Sequence, residues 1–248
     1  MEHKNIYRFC GLTFEINSPL QFKKRDYVES FSYSGEADYI FDIVDRGDRG
    51  RCGSDIDTVR DGNRIIAYMD VSLIEKNTVA DFLVSAKAAH LIREHGRFIL
   101  HCSYSVLDGR AVLITAPSGT GKSTLARHMR DVLGSRIINE DRAIVYEENG
   151  TYFASGCWAK GSGDVCLNET APISAVVILS QGKENCVKRP SSAEALSKIV
   201  PQCTFDEKSI EGRIGIIEDV SKLVAGAQVL TYSCIDHPSA ALELEKYI

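Results

Sequence analysis

The chain has little of what marks the special classes of protein. Its 248 residues include one tryptophan, three methionines and six prolines. No run of eighteen apolar residues occurs, so no membrane-spanning helix is expected. The first residues, Met1-Glu2-His3-Lys4-Asn5, lead into a strand-like pattern and lack the apolar core of a secretion signal. Positive charge is not in excess: 29 Lys and Arg stand against 34 Asp and Glu, a net charge of −5, which argues against nucleic-acid binding. No two of the eight cysteines are spaced as C-x-x-C, which argues against structural zinc. At this chain length they read as reduced, buried thiols of a cytoplasmic protein rather than a disulfide framework.

What is present describes an ordinary globular chain. Hydrophobic residues make up 44% and charged residues 25%, enough to bury a sizeable core as one larger or two small domains. Residues 6–16 alternate as one or two strands, followed by strand-like runs at Phe31–Tyr33, Tyr39–Val44 and Arg64–Met69. Residues 1–76 thus form a β-rich N-terminal region, and residues 77–248 a mixed α/β domain. Asp45 to Asp57 reads as a charged loop, either solvated or part of an acceptor-binding surface. The apolar residues Val79, Phe82, Leu83, Ala86, Ala89 and Ile92 predict one helix over 78–95, capped by Asn77 and ended by Gly96. Strands follow at 98–107 and 111–115, joined by a hairpin turn at Asp108-Gly109. A strand interrupted by acids covers 136–145, an apolar strand 175–179, and helices lie at 192–200 and around 216–223.

The most informative segment is Ala116-Pro117-Ser118-Gly119-Thr120-Gly121-Lys122-Ser123-Thr124. It is a phosphate-loop pattern with Ala at the first glycine position, placed between a strand-like run and a helix-compatible one. Gly119 and Gly121 allow backbone angles that turn successive N–H groups toward phosphate oxygens, and the helix N-terminus adds positive potential. Lys122 would reach the β- and γ-phosphates, and the Ser123 hydroxyl is a Mg²⁺-ligand candidate. Ser118, Thr120 and Thr124 complete the cradle.

Phosphoryl transfer also needs carboxylates for metal and base work. Glu140 and Asp141 follow Lys122 by eighteen and nineteen residues, where a returning strand would bring them near the triphosphate. A solvated acidic turn is the alternative. His101, in Ile99-Leu100-His101-Cys102, reads either as a satisfied core histidine or as a site residue. Trp158, in Gly156-Cys157-Trp158-Ala159-Lys160-Gly161, is either a core anchor or part of a loop approaching the site with Lys160 facing phosphate. Lys188-Arg189-Pro190 reads either as a nucleotide contact or, the favoured reading, as a solvated basic turn.

The order Leu100-His101-Cys102-Ser103, Asp108-Gly109, Pro117 to Thr124, then Asn139-Glu140-Asp141-Arg142 resembles the C-terminal domain of HPr kinase/phosphorylase. It is more similar still to the short HPr-kinase-like proteins, including those that phosphorylate lasso-peptide precursors. Ser155 to Gly161 and Pro172 to Leu179 resemble later segments of that family. The resemblance implies an α/β fold related to phosphoenolpyruvate carboxykinase, with a P-loop in a mixed sheet behind the β-rich N-terminal region. It implies Mg²⁺- and ATP-dependent transfer to a serine hydroxyl of a peptide or small protein, such as a ribosomal peptide precursor, and is consistent with self-association. His101, Lys122, Ser123, Glu140 and Asp141 take the family's functional positions, with Glu140 replacing the first of its usual two aspartates. A kinase of a small hydroxylated metabolite such as free serine, or an ATP-binding regulator with little turnover, are the other readings.

Overall fold

The computed structural model describes residues 3–23, 26–47, 56–159, 165–206 and 209–248. The chain divides into two compact units, Met1–Leu91 and Ile92–Ile248.

The first unit is built on a five-stranded sheet. Strands β1 (His3–Phe9), β2 (Leu12–Ser18), β3 (Tyr39–Asp45), β4 (Asp57–Asp61) and β5 (Arg64–Met69) lie in the order β1-β2-β3-β5-β4. β3 runs parallel to both β2 and β5, while β1 and β4 pair antiparallel at the edges. Phe9, Phe14 and Phe41 are fully buried, and Phe41 meets Phe82 edge-on at 5.5 Å. Asp42 is a buried acid in this apolar setting, ion-paired with Arg64 and accepting a hydrogen bond from Asn17 at 3.1 Å.

The helices of this region are α1 (Asp26–Glu29), α2 (Val79–Ser85) and α3 (Ala89–Arg93), the last leading from one unit to the next. The single helix expected over 78–95 is therefore two short ones. Lys87 sits at φ 56°, in the left-handed region, and breaks the run. The cap is Thr78 rather than Asn77: its hydroxyl accepts from the Asp81 amide while Asp81 accepts from Thr78, so two orphan donors are satisfied reciprocally. Of the expected charged loop over 45–57, residues 48–55 lie outside the described residues; Asp45 ends β3 and Asp57 begins β4.

The second unit is a mixed α/β fold. Its strands are β6 (Arg97–Leu107), β7 (Arg110–Thr115), β8 (Arg136–Asn139), β9 (Arg142–Glu148), β10 (Thr151–Gly156), β11 (Thr170–Gln181), β12 (Cys186–Lys188), β13 (Cys203–Thr204) and β14 (Val229–Cys234). Its remaining helices are α4 (Lys122–Leu133), α5 (Ser192–Ile199), α6 (Ile210–Gly226) and α7 (Ser239–Glu245). The main path is β10-β9-β6-β7-β11-β14-β12, with β8 and β13 pairing to β6. β7, β11 and β14 run parallel, as strands fed by crossover helices do.

Period-two alternation sorts the strand residues onto two cores. Val112, Ile114, Ala175 and Val177 pack with Leu125, Ala126 and Met129 of α4 and Leu244 of α7. Ala111, Leu113, Val176 and Ile178 pack with Ala195 of α5 and with Ile216 and Val220 of α6. Each buried Leu or Met on α4 contributes roughly 1.5–3 kcal/mol, which fixes the N-terminus of that helix against the end of β7.

β6 is the strand that organises the site. Residues Arg97 to His101 pair with β9, whereas Cys102 to Leu107 pair with β7. His101 and Cys102 thus sit where one strand passes from one neighbour to the other, facing Arg142 on β9 and Thr115 on β7 in register.

Candidate active site

β7 ends at Thr115, whose hydroxyl donates to the His101 carbonyl at 2.9 Å. The chain then turns through residues 116–121 into α4. Ala116 is buried against the α4 core, so the first-glycine position of the loop pattern holds a small apolar side chain that packs. Gly119 (φ 79°) and Gly121 (φ 107°) are both in the left-handed region, where a side chain would be strained. Gly121 is the N-cap of α4 and supplies no side-chain cap. The amides of the first turn of α4 therefore lack both intrahelical and capping acceptors, the arrangement that receives an anion at a helix N-terminus.

Lys122 is the first residue of that helix and is largely buried. Its Nζ donates to the carbonyls of Ala116 at 2.9 Å and Pro117 at 3.3 Å, folding the side chain back along its own loop. Burial lowers its pKa below the ordinary lysine range, opposed by the nearby Cys102 and Asp141. Thr120 braces the loop from within, its hydroxyl donating to the Pro117 carbonyl at 2.8 Å. Ser118 and Gly119 are exposed, and Ser123 and Thr124 are half-buried.

Glu140 and Asp141 lie in the turn between β8 and β9, a turn built by Asn139. The fully buried Asn139 accepts on Oδ1 from the amides of Asp141 (2.9 Å) and Arg142 (3.0 Å). Its Nδ2 donates to the carbonyls of Cys157 (3.4 Å) and Ala159 (3.3 Å). The Cys102 amide donates to the Asp141 carbonyl at 3.0 Å, tying the turn to β6. The two acids then diverge. Asp141 Oδ1 lies 3.4 Å from His101 Nε2, and its Oδ2 lies 3.2 Å from Arg142 Nε. Glu140 faces Arg127 of α4, at 3.9 Å.

Burial lowers the pKa of His101, the charge of Lys122 lowers it further, and Asp141 opposes both. The imidazole is thereby held toward its neutral form beside the Asp141 side chain. Cys102 is fully buried and its thiol is pushed well up, so it is not a nucleophile at neutral pH.

The structure thus brings His101, Lys122 and Asp141 into one electrostatic group and turns Glu140 toward α4. Trp158 is buried, and the carbonyls on either side of it hold Asn139. Lys160 and Gly161 lie outside the described residues. Lys188 and Arg189 are exposed. Asn139 and Arg142 enter the sequence reading only as flanks of the acid pair, and Thr115 only as the end of a strand; none of them has a role there. The signal for Asn139 was available, since Asn at a strand end ahead of a turn accepts from amides two and three residues on. Among the described residues the cysteines are all free, and no helix is long and apolar enough to cross a membrane.

No family model and no curated protein matches the chain. Among solved structures, the HPr(Ser) kinase/phosphatase from Coxiella burnetii is similar to it at 14% identity and a TM-score of 0.35. That similarity covers 60% of this chain and 87% of that one.

Proposed function

We propose that this protein is an ATP-dependent kinase that transfers the γ-phosphoryl group to a serine hydroxyl of a peptide or small protein. The observation that carries the reading is the juxtaposition at the end of β7. A buried lysine and an uncapped helix N-terminus adjoin a carboxylate that is set beside an imidazole. The first two recognise a polyphosphate; the last two manage a proton.

In this reading, the amides of Gly119 to Thr124 take the phosphate oxygens. Lys122 exchanges the Ala116 and Pro117 carbonyls for the phosphates, charge for partial charge. The hydroxyl oxygen of the acceptor forms a bond to the γ-phosphorus, the bond to the β-bridging oxygen breaks, and the hydroxyl proton passes to Asp141. His101 orients that carboxylate. The choice of a peptide serine rests on the sequence resemblance.

The donor chemistry suits Mg²⁺, which prefers oxygen ligands: the Ser123 hydroxyl and the Glu140 carboxylate would hold it, leaving the Asp141 carboxylate to take the proton. Among the described residues no three His, Cys, Asp or Glu side chains converge as a cage, and an ion carried mainly by phosphates and water needs none. When bound it would offset charge on the phosphates.

The test is direct. Purified protein is incubated with γ-labelled ATP, Mg²⁺ and candidate acceptors, beside a Lys122→Ala control. Label on a peptide serine supports the proposal. Label on a small hydroxylated metabolite replaces the acceptor, and nucleotide binding without transfer would replace the kinase by a nucleotide-responsive regulator.

A further inference from the structure

On the other side of the loop from His101 and Asp141 lies a cavity of about 400 Å³. β7 has β6 on one flank and β11 on the other; the acid turn is tied to the first, and the cavity opens over the second. Gly119 to Gly121 form its inner edge. Its walls are Thr124 and His128, one turn apart on α4, Leu179 and Gln181 at the end of β11, and Ile235 and Asp236 just after β14. The volume falls within the roughly 300–1,000 Å³ of small-molecule sites. A polyphosphate seated on the loop would have its γ-end toward Asp141 and its other end toward this cavity.

The mouth of the cavity carries a pair whose members are far apart in sequence. His128 Nε2 lies 3.0 Å from Asp236 Oδ1. The Asp236 side chain is 81% exposed, and that of His128 21%. An aspartate so exposed ordinarily samples several rotamers; here the imidazole holds one oxygen, and no described residue donates to the other. A carboxylate fixed in this way is an acceptor for neighbouring hydroxyls, and hydrogen bonds to an ionised acceptor are the stronger ones.

We propose that the cavity takes the nucleoside end of a ribonucleoside triphosphate, and that Asp236, positioned by His128, accepts hydrogen bonds from the ribose hydroxyls. Leu179 and Ile235 supply apolar surface for the base, and the Gln181 amide can meet its polar edge. The assignment rests on the phosphate-loop reading above and adds a prediction that reading does not make: the site distinguishes ribose from deoxyribose.

The experiment is calorimetric titration of the full chain, with Mg²⁺, against ATP, 2′-deoxy-ATP, 3′-deoxy-ATP and inorganic tripolyphosphate. ATP should bind about tenfold more tightly than at least one deoxy form, the effect of one charge-assisted hydrogen bond. Asp236→Ala should bring that ratio close to one while leaving tripolyphosphate affinity unchanged. His128→Ala should lower the ratio, and His128→Gln, which keeps a donor, should restore it. Such a change in ratio is not what a general loss of structure produces. Equal binding of ATP and both deoxy forms by the unaltered protein overturns the ribose assignment, as does an undiminished ratio in Asp236→Ala. Tripolyphosphate binding as tightly as ATP overturns the nucleoside cavity alone. If neither ATP nor tripolyphosphate binds, the phosphate-loop reading fails and takes this one with it.

Discussion

His101 Nε2 approaches Asp141 Oδ1 to 3.4 Å, and the backbone amide of the next residue, Cys102, donates to the Asp141 carbonyl at 3.0 Å. One strand thus holds this aspartate twice, by its side chain and by its main chain. Both contacts form where β6 passes from β9 to β7, which puts the carboxylate beside the loop that carries Lys122.

If Asp141 receives the acceptor's proton, Asp141→Asn should lower kcat by roughly 10²–10⁴-fold, the usual worth of a positioned base. The main-chain contact to Cys102 survives in that variant, so the affinity for Mg·ATP should stay within about threefold. Steady-state kinetics together with calorimetry separate the two quantities. Equal loss in both would remove the base assignment.

Lys122→Met keeps the length and apolar stem of the side chain but removes its donors to Ala116 and Pro117. ATP affinity should fall by at least about tenfold, since a charge-assisted hydrogen bond is lost, with the fold retained by circular dichroism. Unchanged nucleotide affinity in this variant would show that the lysine does not meet phosphate.

Asn139→Ala leaves two amides and two carbonyls without their partner in a fully buried position. A loss of about 3 kcal/mol is expected. For a unit of this size that is a fall of roughly 6–12 °C in the thermal midpoint. Asn139→Asp keeps the acceptor oxygen and loses the donor nitrogen, and should fall between the two. Differential scanning calorimetry of the three proteins checks the order.

The N-terminal unit should show an acid-sensitive step at Asp42. Burial works against its charge, but hydrogen bonds from Arg64 and Asn17 and the Arg64 charge outweigh it, so its pKa lies below the ordinary value. A folded-state pKa below the unfolded one, about 3.9, contributes stability that is present above that pH and lost as pH falls through the folded value. In urea titrations Asp42→Asn should be less stable than the unaltered protein at neutral pH. The gap should narrow below about pH 4. A constant gap from pH 7 to 3 would contradict the ion pair's contribution.

The elements that the sequence disclosed best are those whose physics is local. The Asp108-Gly109 hairpin, the strand into Ala116 and the helix from Lys122 all follow from contiguous residues, and the structure forms each of them. The apolar spacing that predicts one helix over 78–95 persists through Lys87, whereas the backbone there turns left-handed. Thr78 displaced Asn77 as the cap because its partner Asp81 stands three residues on, within reach of both groups. The acid turn was visible as Glu140-Asp141, but the residue that shapes it, Asn139, acts through carbonyls of a segment nearly twenty residues away.

The amino-acid sequence by itself determined the loop with its lysine, because amide direction, glycine conformation and helix start are set within nine consecutive residues. Only the tertiary structure decided what surrounds that loop. It set His101 against Asp141, turned Glu140 to Arg127, and paired His128 with Asp236 across 108 positions of chain. Such contacts depend on which strands lie next to one another, and strand order is fixed by packing two cores on opposite faces of one sheet rather than by any local pattern.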